Sequence, residues 1–232
     1  MYSKNLEAYK KNLILTKTQR DLIIGMLLGD GHLESQDKGR TYRLKVEHSI
    51  VQKNYVDWLY KEFSKWTGQP PKERIKNSFG KEKASYGFNT YSSGSLRFYG
   101  QQFYQGNKKV IPKLIKKLLS PLAIAVWFMD DGSFKSTHHR TYIIHTLGYA
   151  KDELEIIREA FIKFGITIGI HKQYNKWRIY IYSDSAQAFK QLIEPYIIPS
   201  MRYKLGNEFV SPDRRNKLGN EFVSPDRRYK LG

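Results

Sequence analysis

Two apolar segments of this chain end in an aspartate followed by a glycine. The first runs from Leu22 to Gly31 and the second from Leu122 to Gly132, and their last acidic residues, Asp30 and Asp131, are 101 positions apart. Carboxylate oxygens are ligands that a hard divalent cation prefers, and such a cation can act on a phosphodiester. If each segment begins an equivalent structural unit, the two units can bring both carboxylates together. The pattern therefore predicts paired metal chemistry between two related units.

Both segments are predicted to be buried helices. The sequence from Thr18 to Asp21 resembles a capping box before the first, and Ser120-Pro121 gives the second an N-cap followed by a proline suited to the first helical turn. Both helices are apolar nearly all round, which indicates burial on several sides. Gly25 and Gly29 leave a strip where another backbone can approach closely. We therefore expect the two helices to pack against each other.

A single Asp-Gly is weak evidence for a metal site, because glycine commonly ends helices. Convergence of two such helix ends would, however, bring negative charges together and favour a cation between them. A helix C-terminus also carries partial negative charge, which favours cations. At a separation of about 5 Å and an effective dielectric constant of about 20, Asp30 and Asp131 would repel each other by about 3 kcal/mol. A hard cation such as Mg²⁺ between them would remove this repulsion.

The composition favours a polyanionic partner. The 232 residues include 40 Lys and Arg against 22 Asp and Glu, a net charge of +18. The longest apolar runs are about half the length of a spanning helix, and the polar start at Met1 is unlike a secretory signal, so we expect no membrane association. The lack of cysteine excludes thiol catalysis and thiolate-bound zinc. It favours an intracellular protein, and mitochondrion and bacterial cytoplasm both stay open.

The elements after each motif repeat in the same order: a strand, a helix, two strands and a helix. The predicted elements lie at 41–50, 52–66, 72–77, 85–92 and 95–104 in the first half, and at 141–147, 151–164, 166–172, 177–182 and 185–196 in the second. We divide the chain into a first repeat with a basic N-terminal arm (1–117), a second repeat (118–206) and a repetitive basic tail expected to be mobile (207–232).

Charged and aromatic side chains in the predicted strands are suited to contacts with bases and phosphates. In the first strand, Leu44, Val46 and His48 alternate with charged residues, which indicates a half-buried strand with one charged face. The alternative, a solvated sheet face, stays open for each residue. The DNA-binding candidates are Arg40, Arg43, Lys45, Lys176, Arg178 and Tyr180. In the amphipathic helix that follows the first strand, the residues expected to face inward are Tyr55, Trp58, Leu59 and Phe63.

Residues 23–31 and 124–132 resemble the two LAGLIDADG motifs of single-chain homing endonucleases, and the sequence from Trp127 to Gly132 is similar to the intron-encoded monomeric branch of that family. The resemblance covers about residues 13–206. It implies an α+β fold of two pseudo-twofold-related repeats, each with helices and an antiparallel β-sheet saddle for the DNA major groove. The motif helices would form the interface. It also implies a monomer and a long, asymmetric double-stranded DNA target.

The same resemblance implies a metal site. Asp30 and Asp131 would bind metal and act in catalysis, and Gly29 and Asp130 complete the predicted metal-binding set. For Asp130 two alternatives stay open: a group that supports a metal ligand without binding the metal, and a simple surface acid. The expected cofactor is Mg²⁺, with Mn²⁺ able to substitute. In the second motif, Val126 and Asp130 occupy positions that the family usually gives to small residues, so looser packing is expected there.

A basic residue near each scissile phosphate is also implied. The best matches are Lys109 and Lys204, with Lys108 as an alternative to Lys109. Together these features predict a site-specific double-strand DNA homing endonuclease that hydrolyses phosphodiester bonds at two active sites with a divalent metal. Two alternatives stay open: an intron maturase that binds intron RNA, and a non-catalytic DNA-binding regulator of the same fold. The presence of both acids favours the nuclease.

Overall fold

The computed structural model describes residues 2–78, 81–135 and 141–206, so the predicted tail at 207–232 lies outside the described residues. The helices are α1 (Tyr2–Lys11), α2 (Lys17–Leu28), α3 (Lys53–Phe63), α4 (Arg97–Phe103), α5 (Ile115–Leu118), α6 (Pro121–Asp131), α7 (Lys151–Ile162) and α8 (Ser183–Ile193). The strands are β1 (His32–Glu34), β2 (Arg43–Ser49), β3 (Lys72–Ser78), β4 (Lys81–Asn89), β5 (Tyr104–Gln105), β6 (Lys108–Lys109), β7 (Gly132–Phe134), β8 (Tyr142–Ile144), β9 (Ile168–Gln173) and β10 (Lys176–Ile181).

The two motif helices begin at side-chain caps. For α6 the cap is the predicted one, because Ser120 Oγ accepts the N–H of Ala123 at 3.2 Å. For α2 the predicted start at Thr18 is wrong by two residues. Thr16 is the N-cap: its hydroxyl accepts the N–H of Gln19 at 3.1 Å, and the Gln19 side chain accepts the N–H of Thr16 at 3.0 Å. This Thr-x-x-Gln pair is a complete capping box, whereas Thr18 lies inside the helix.

The motif helices pack in close contact, as their glycines predicted. A Cβ at Gly25 would lie 2.5 Å from the carbonyl oxygen of Ala123 and 2.6 Å from the Cβ of Val126. A Cβ at Gly29 would overlap the side chain of Asp130. Each larger residue of the second motif therefore lies against a glycine of the first. Because the two motifs compensate for each other in this way, Val126 and Asp130 do not loosen the interface.

Two four-stranded antiparallel sheets confirm the duplicated α+β fold. The strand order is β1-β2-β4-β3 in the first half and β7-β8-β10-β9 in the second, so the two sheets have the same topology. The short strands β1 and β7 directly follow the motifs and were not predicted, because three residues carry too little alternation to recognise. The sequence also gave no signal for the β5-β6 hairpin, which presents Lys109.

The core lies between each sheet and its helices. On β2 the inward side chains are Leu44, Val46 and His48, in agreement with the predicted alternation. On α3 the predicted inward residues Tyr55, Leu59 and Phe63 are buried, but Trp58 is only partly buried and Val56 takes a core position. None of the helices described is both long and apolar enough to cross a membrane.

We expect Gly25→Val to destabilise the protein by about 2 to 3 kcal/mol, because the new side chain would overlap Ala123 and Val126 in a packed interface. Urea denaturation, followed by circular dichroism, measures the free energy of unfolding. Gly148→Val is the matched control, since a Cβ at Gly148 would meet nothing within 4 Å. Equal stability of the two variants would contradict the close contact between α2 and α6.

Candidate active site at the paired helix ends

The C-terminal ends of α2 and α6 present the two motif aspartates differently. Helix α2 ends at Leu28, so Asp30 lies two residues beyond it, whereas Asp131 is the last residue of α6. The N–H of Gly31 donates to the carbonyl of Met26 at 2.8 Å, which ends α2. The Asp30 side chain is 54% exposed. Asp30 is therefore accessible to a ligand, although its backbone is no longer held by the helix.

Asp130 lies buried beneath this loop, with no exposed side-chain area. Its Oδ1 accepts the Tyr55 hydroxyl at 2.8 Å, and its Oδ2 accepts the backbone N–H of Asp30 at 3.0 Å. The His48 ring lies between the two acids, with Nδ1 3.7 Å from Asp30 Oδ2 and Nε2 3.9 Å from Asp130 Oδ1. Three groups able to bind a metal, from Asp30, His48 and Asp130, thus have atoms within 4.8 Å of one another.

Burial and repulsion between neighbouring carboxylates disfavour the ionisation of Asp130 and Asp131. Burial, followed by the charges of Asp130 and Asp30, raises the pKa of Asp131 to about 8. Burial and the charge of Asp30 raise the pKa of Asp130 to about 7, against the opposing hydrogen bonds from Tyr55 and the Asp30 backbone. The paired helix ends therefore concentrate negative charge in a poorly hydrated place, where a cation is favoured.

Two partly buried lysines donate hydrogen bonds at the ends of the motif helices. Lys109 Nζ donates to the carbonyl of Gly29 at 2.5 Å, and Lys204 Nζ donates to the carbonyls of Met129 and Asp130 at 2.5 and 2.8 Å. Burial lowers the pKa of both lysines, and the neighbouring aspartates oppose this shift. Lys108 is exposed and pairs with Gln105 in the hairpin. Of the two adjacent lysines, only Lys109 reaches the end of a motif helix.

The oxygen-rich donor set fits a hard divalent cation. Asp30 and Asp131 offer carboxylates, and a cation would relieve the burial cost that raises the pKa of Asp131. The carbonyls of Gly29 and Asp130 receive hydrogen bonds from the lysines, and both Asp130 carboxylate oxygens already accept a hydrogen bond. The metal-binding roles assigned to Asp30, Asp131, Gly29 and Asp130 all stay predictions.

Residues 20–189 match the LAGLIDADG DNA endonuclease family. The chain belongs to this family. It is 33% identical to the "Probable intron-encoded endonuclease 1" of Wickerhamomyces canadensis, over 88% of this chain and 90% of that protein. It is 31% identical to the "Cytochrome b mRNA maturase bI2" of Saccharomyces cerevisiae, over 80% of this chain but only 47% of the maturase.

A solved structure agrees with this assignment. The homing endonuclease I-WcaI, solved bound to its DNA recognition sequence, superposes with a TM-score of 0.81 at 29% identity, and the match covers 86% of this chain and 91% of that one. The α+β architecture of the LAGLIDADG repeats, predicted from the sequence, is therefore confirmed.

The first LAGLIDADG sheet carries its predicted DNA-binding cations within an ion-pair network. Arg43 Nη2 lies 2.6 Å from Glu34 Oε2, and Lys45 Nζ lies 3.7 Å from Glu34 and 3.8 Å from Glu47. Arg74 of β3 pairs with Glu47 at 2.7 Å. The sequence alone did not identify these partners, because they depend on the register of all four strands of the sheet. Arg43 and Lys45 therefore lie on the outward face of β2, and ion pairs with Glu34 and Glu47 fix their side chains in place.

The remaining predicted DNA-binding residues lie in two places, the turn before β2 and the strand β10. Arg40 precedes β2 in a turn, where its carbonyl accepts the Nε of Arg97 at 2.7 Å. Lys176, Arg178 and Tyr180 alternate along β10 and share one face of the second sheet. On that face Tyr180 packs against the His171 ring at 4.7 Å between centroids. The second sheet is therefore more aromatic on this face than the ion-paired first sheet.

Sequence reasoning missed His48 and Tyr55 as parts of the site. His48 was predicted on the inward face of its strand and Tyr55 in the core, and both are buried. The available signal was a titratable histidine among apolar inward residues of β2, which needs a polar partner. The identity of that partner, across the interface in the second motif, required the tertiary structure.

We expect Asp131→Asn to stabilise the metal-free protein, by an amount that grows as the pH rises from about 5 to about 8. In the unfolded chain Asp131 ionises near its ordinary pKa, but in the folded chain it keeps its proton up to about pH 8. The native state binds more protons within this window, so ionisation at rising pH costs stability. Denaturation in a chelator at several pH values measures the effect.

The control is Asp152→Asn, which removes one charge from an exposed position at the start of α7. Subtracting its effect isolates the contribution of burial at Asp131. If the stability difference between Asp131→Asn and the native protein shrank with rising pH, the assignment of a raised pKa to Asp131 would be wrong.

Proposed function

We propose that this LAGLIDADG protein is a site-specific double-strand DNA homing endonuclease, acting as a monomer with two metal-dependent active sites. The observation that carries the proposal is the meeting of Asp30 and Asp131 at the ends of paired helices, with a partly buried lysine at each helix end. Family membership and the likeness to I-WcaI, solved bound to its DNA recognition sequence, support DNA as the substrate.

Asp30 and Asp131 would hold the metal ions, with the carbonyl of Gly29 as a further predicted ligand. Asp130, the other predicted ligand, already accepts a hydrogen bond at each carboxylate oxygen. When bound, Mg²⁺ or Mn²⁺ supplies charge neutralisation at the phosphate and a more acidic water. Lys109 and Lys204 place ammonium groups beside these carboxylates, where they stabilise negative charge that develops on the phosphate. One acid and one lysine belong to each half, which supports one strand cut per half.

The sheets would bind a long, asymmetric duplex. The net charge of +18 favours the DNA backbone. Arg43 and Lys45 from the first sheet, and Arg178 and Tyr180 from the second, are our candidates for contacts with base edges, with Arg40 and Lys176 as flanking cations. The ion pairs on one sheet and the aromatic rings on the other present different chemistry to the two half-sites, which supports an asymmetric target.

We expect Asp30→Asn and Asp131→Asn each to abolish cutting of one strand while DNA binding survives. The target is first obtained by incubating the native protein with randomised duplex DNA and Mg²⁺ and sequencing the cut ends. On that duplex, each variant should cut one strand at least about a hundredfold more slowly, because a charge-stabilising ligand is lost. Strand-specific end labels measure both rates, and a mobility shift measures binding.

Asp184→Asn, an exposed residue at the start of α8, controls for the loss of one charge. Native rates on both strands in both active-site variants would refute the role of this pair.

We expect Lys109→Met to slow cleavage of one strand at least about thirtyfold, because a partly buried ammonium beside the carboxylates is lost. Lys108→Met is the matched control: it makes the same change at the adjacent, exposed residue and should stay within about threefold of the native rate. Single-turnover cleavage measures both. If Lys108→Met were the slower variant, the basic group would have to be reassigned to Lys108.

The second candidate function is an intron maturase. It is favoured by the 31% identity to cytochrome b mRNA maturase bI2, although the chain spans only about half of that protein. These intron-encoded relatives also support a location inside a cell or its organelles. The randomised-duplex incubation separates the two candidates, because a maturase without nuclease activity leaves every duplex intact.

A further inference from the structure

The two halves hold their motif aspartates by different means. Helix α6 continues through Asp131, so the backbone of Asp131 belongs to the helical hydrogen-bond ladder. Helix α2 stops at Leu28, so the N–H of Asp30 needs an acceptor from elsewhere. That acceptor is Asp130 Oδ2, from the other half of the molecule, at 3.0 Å. The asymmetry follows from the motifs themselves, because the position equivalent to Asp130 in the first motif is Gly29, which has no side chain.

The Asp130 carboxylate is itself fixed in place. Tyr55 donates to its other oxygen at 2.8 Å, and the nearly buried His48 ring lies within 4 Å of both this carboxylate and that of Asp30. The backbone of Gly29 leaves room for the Asp130 side chain, since any Cβ there would overlap it. Tyr55 and His48 come from the first half and Asp130 from the second, so the network crosses the interface.

The contacts of Asp130 are better suited to holding neighbouring groups in place than to binding a metal ion. Both Asp130 oxygens accept hydrogen bonds, and the side chain has no exposed area. Asp30 in contrast is 54% exposed. A buried side-chain oxygen that accepts a backbone N–H fixes the position of that backbone, because the N–H would otherwise lose its partner.

We propose that Asp130, oriented by Tyr55 and His48, is a positioning residue for Asp30 and has no counterpart at Asp131. It acts through the backbone of Asp30 and does not touch the substrate. The consequence is that damage to this network impairs one active site and spares the other. The strand-cleavage part of this inference rests on the proposed nuclease function, whereas its structural part does not.

The structural test measures amide hydrogen exchange at Asp30 in the metal-free protein by NMR. Asp130→Ala removes the acceptor, so exchange at the Asp30 amide should accelerate at least about tenfold. Asp130→Asn should keep exchange within about threefold of native, because its side-chain carbonyl still accepts the Asp30 N–H while the Tyr55 hydroxyl accepts its NH₂ group. Unchanged exchange in Asp130→Ala would overturn the proposal.

The functional test compares the cutting rates of the two strands of the selected duplex. The strand that Asp30→Asn impairs defines the Asp30 site. Asp130→Ala should slow the cutting of that strand at least about tenfold relative to the other strand, whereas Asp130→Asn should retain most of the native cutting rate. If Asp130→Asn were as slow as Asp130→Ala, the charge of Asp130 would be required, which would overturn a positioning role.

Two further variants separate positioning from general destabilisation. Tyr55→Phe keeps the ring in the core and removes one hydrogen bond to Asp130, so it should shift the ratio of strand rates in the same direction by a smaller factor. Thr146→Val removes a buried hydrogen bond to the carbonyl of Trp177 in the second half and should leave the ratio native. An equal loss on both strands in Asp130→Ala would overturn the inference. A native protein that cuts no duplex would instead refute the proposed function and leave the exchange test intact.

Discussion

The structure depends on the close contact between α2 and α6. Gly25 and Gly29 allow the second helix to approach until Val126 and Asp130 fill the space that their missing side chains leave. This contact brings together the C-terminal ends of two helices, whose partial negative charges and following aspartates repel each other. The sheets, the lysines and the buried polar network are all arranged around this point.

Hydrogen bonds from lysine and tyrosine side chains offset part of the unfavourable energy of bringing these helix ends together. Lys109 donates to the carbonyl of Gly29, just beyond α2, and Lys204 to carbonyls in the last turn of α6, while Tyr149 donates to the carbonyl of Leu28 at 3.0 Å. These bonds satisfy helix ends that would otherwise be buried without partners. Burial, followed by the charges of Asp130 and Asp30, nevertheless raises the pKa of Asp131 to about 8. A cation bound beside Asp131 would favour its ionised form and oppose this shift.

Duplication gave the two halves one topology, and sequence divergence gave them different chemistry. The sheets share a strand order, but ion pairs occupy the outward face of the first and aromatic rings that of the second. At the helix ends, Gly29 and Asp130 are equivalent positions with opposite roles, since the glycine provides the space that the aspartate fills. A single-chain protein can diverge in this way because its two halves need not be identical.

The sequence by itself determined the motif helices, the duplicated order of elements, the close approach at Gly25 and the pairing of two acids, because these follow from periodicity, small residues and repetition along the chain. It misplaced the start of α2 and missed the short strands, where few residues carry the pattern. Only the tertiary structure distinguished Lys109 from Lys108 and joined Asp130 to Tyr55 and His48. Such contacts join residues far apart in the chain, and they depend on interface geometry that local patterns do not encode.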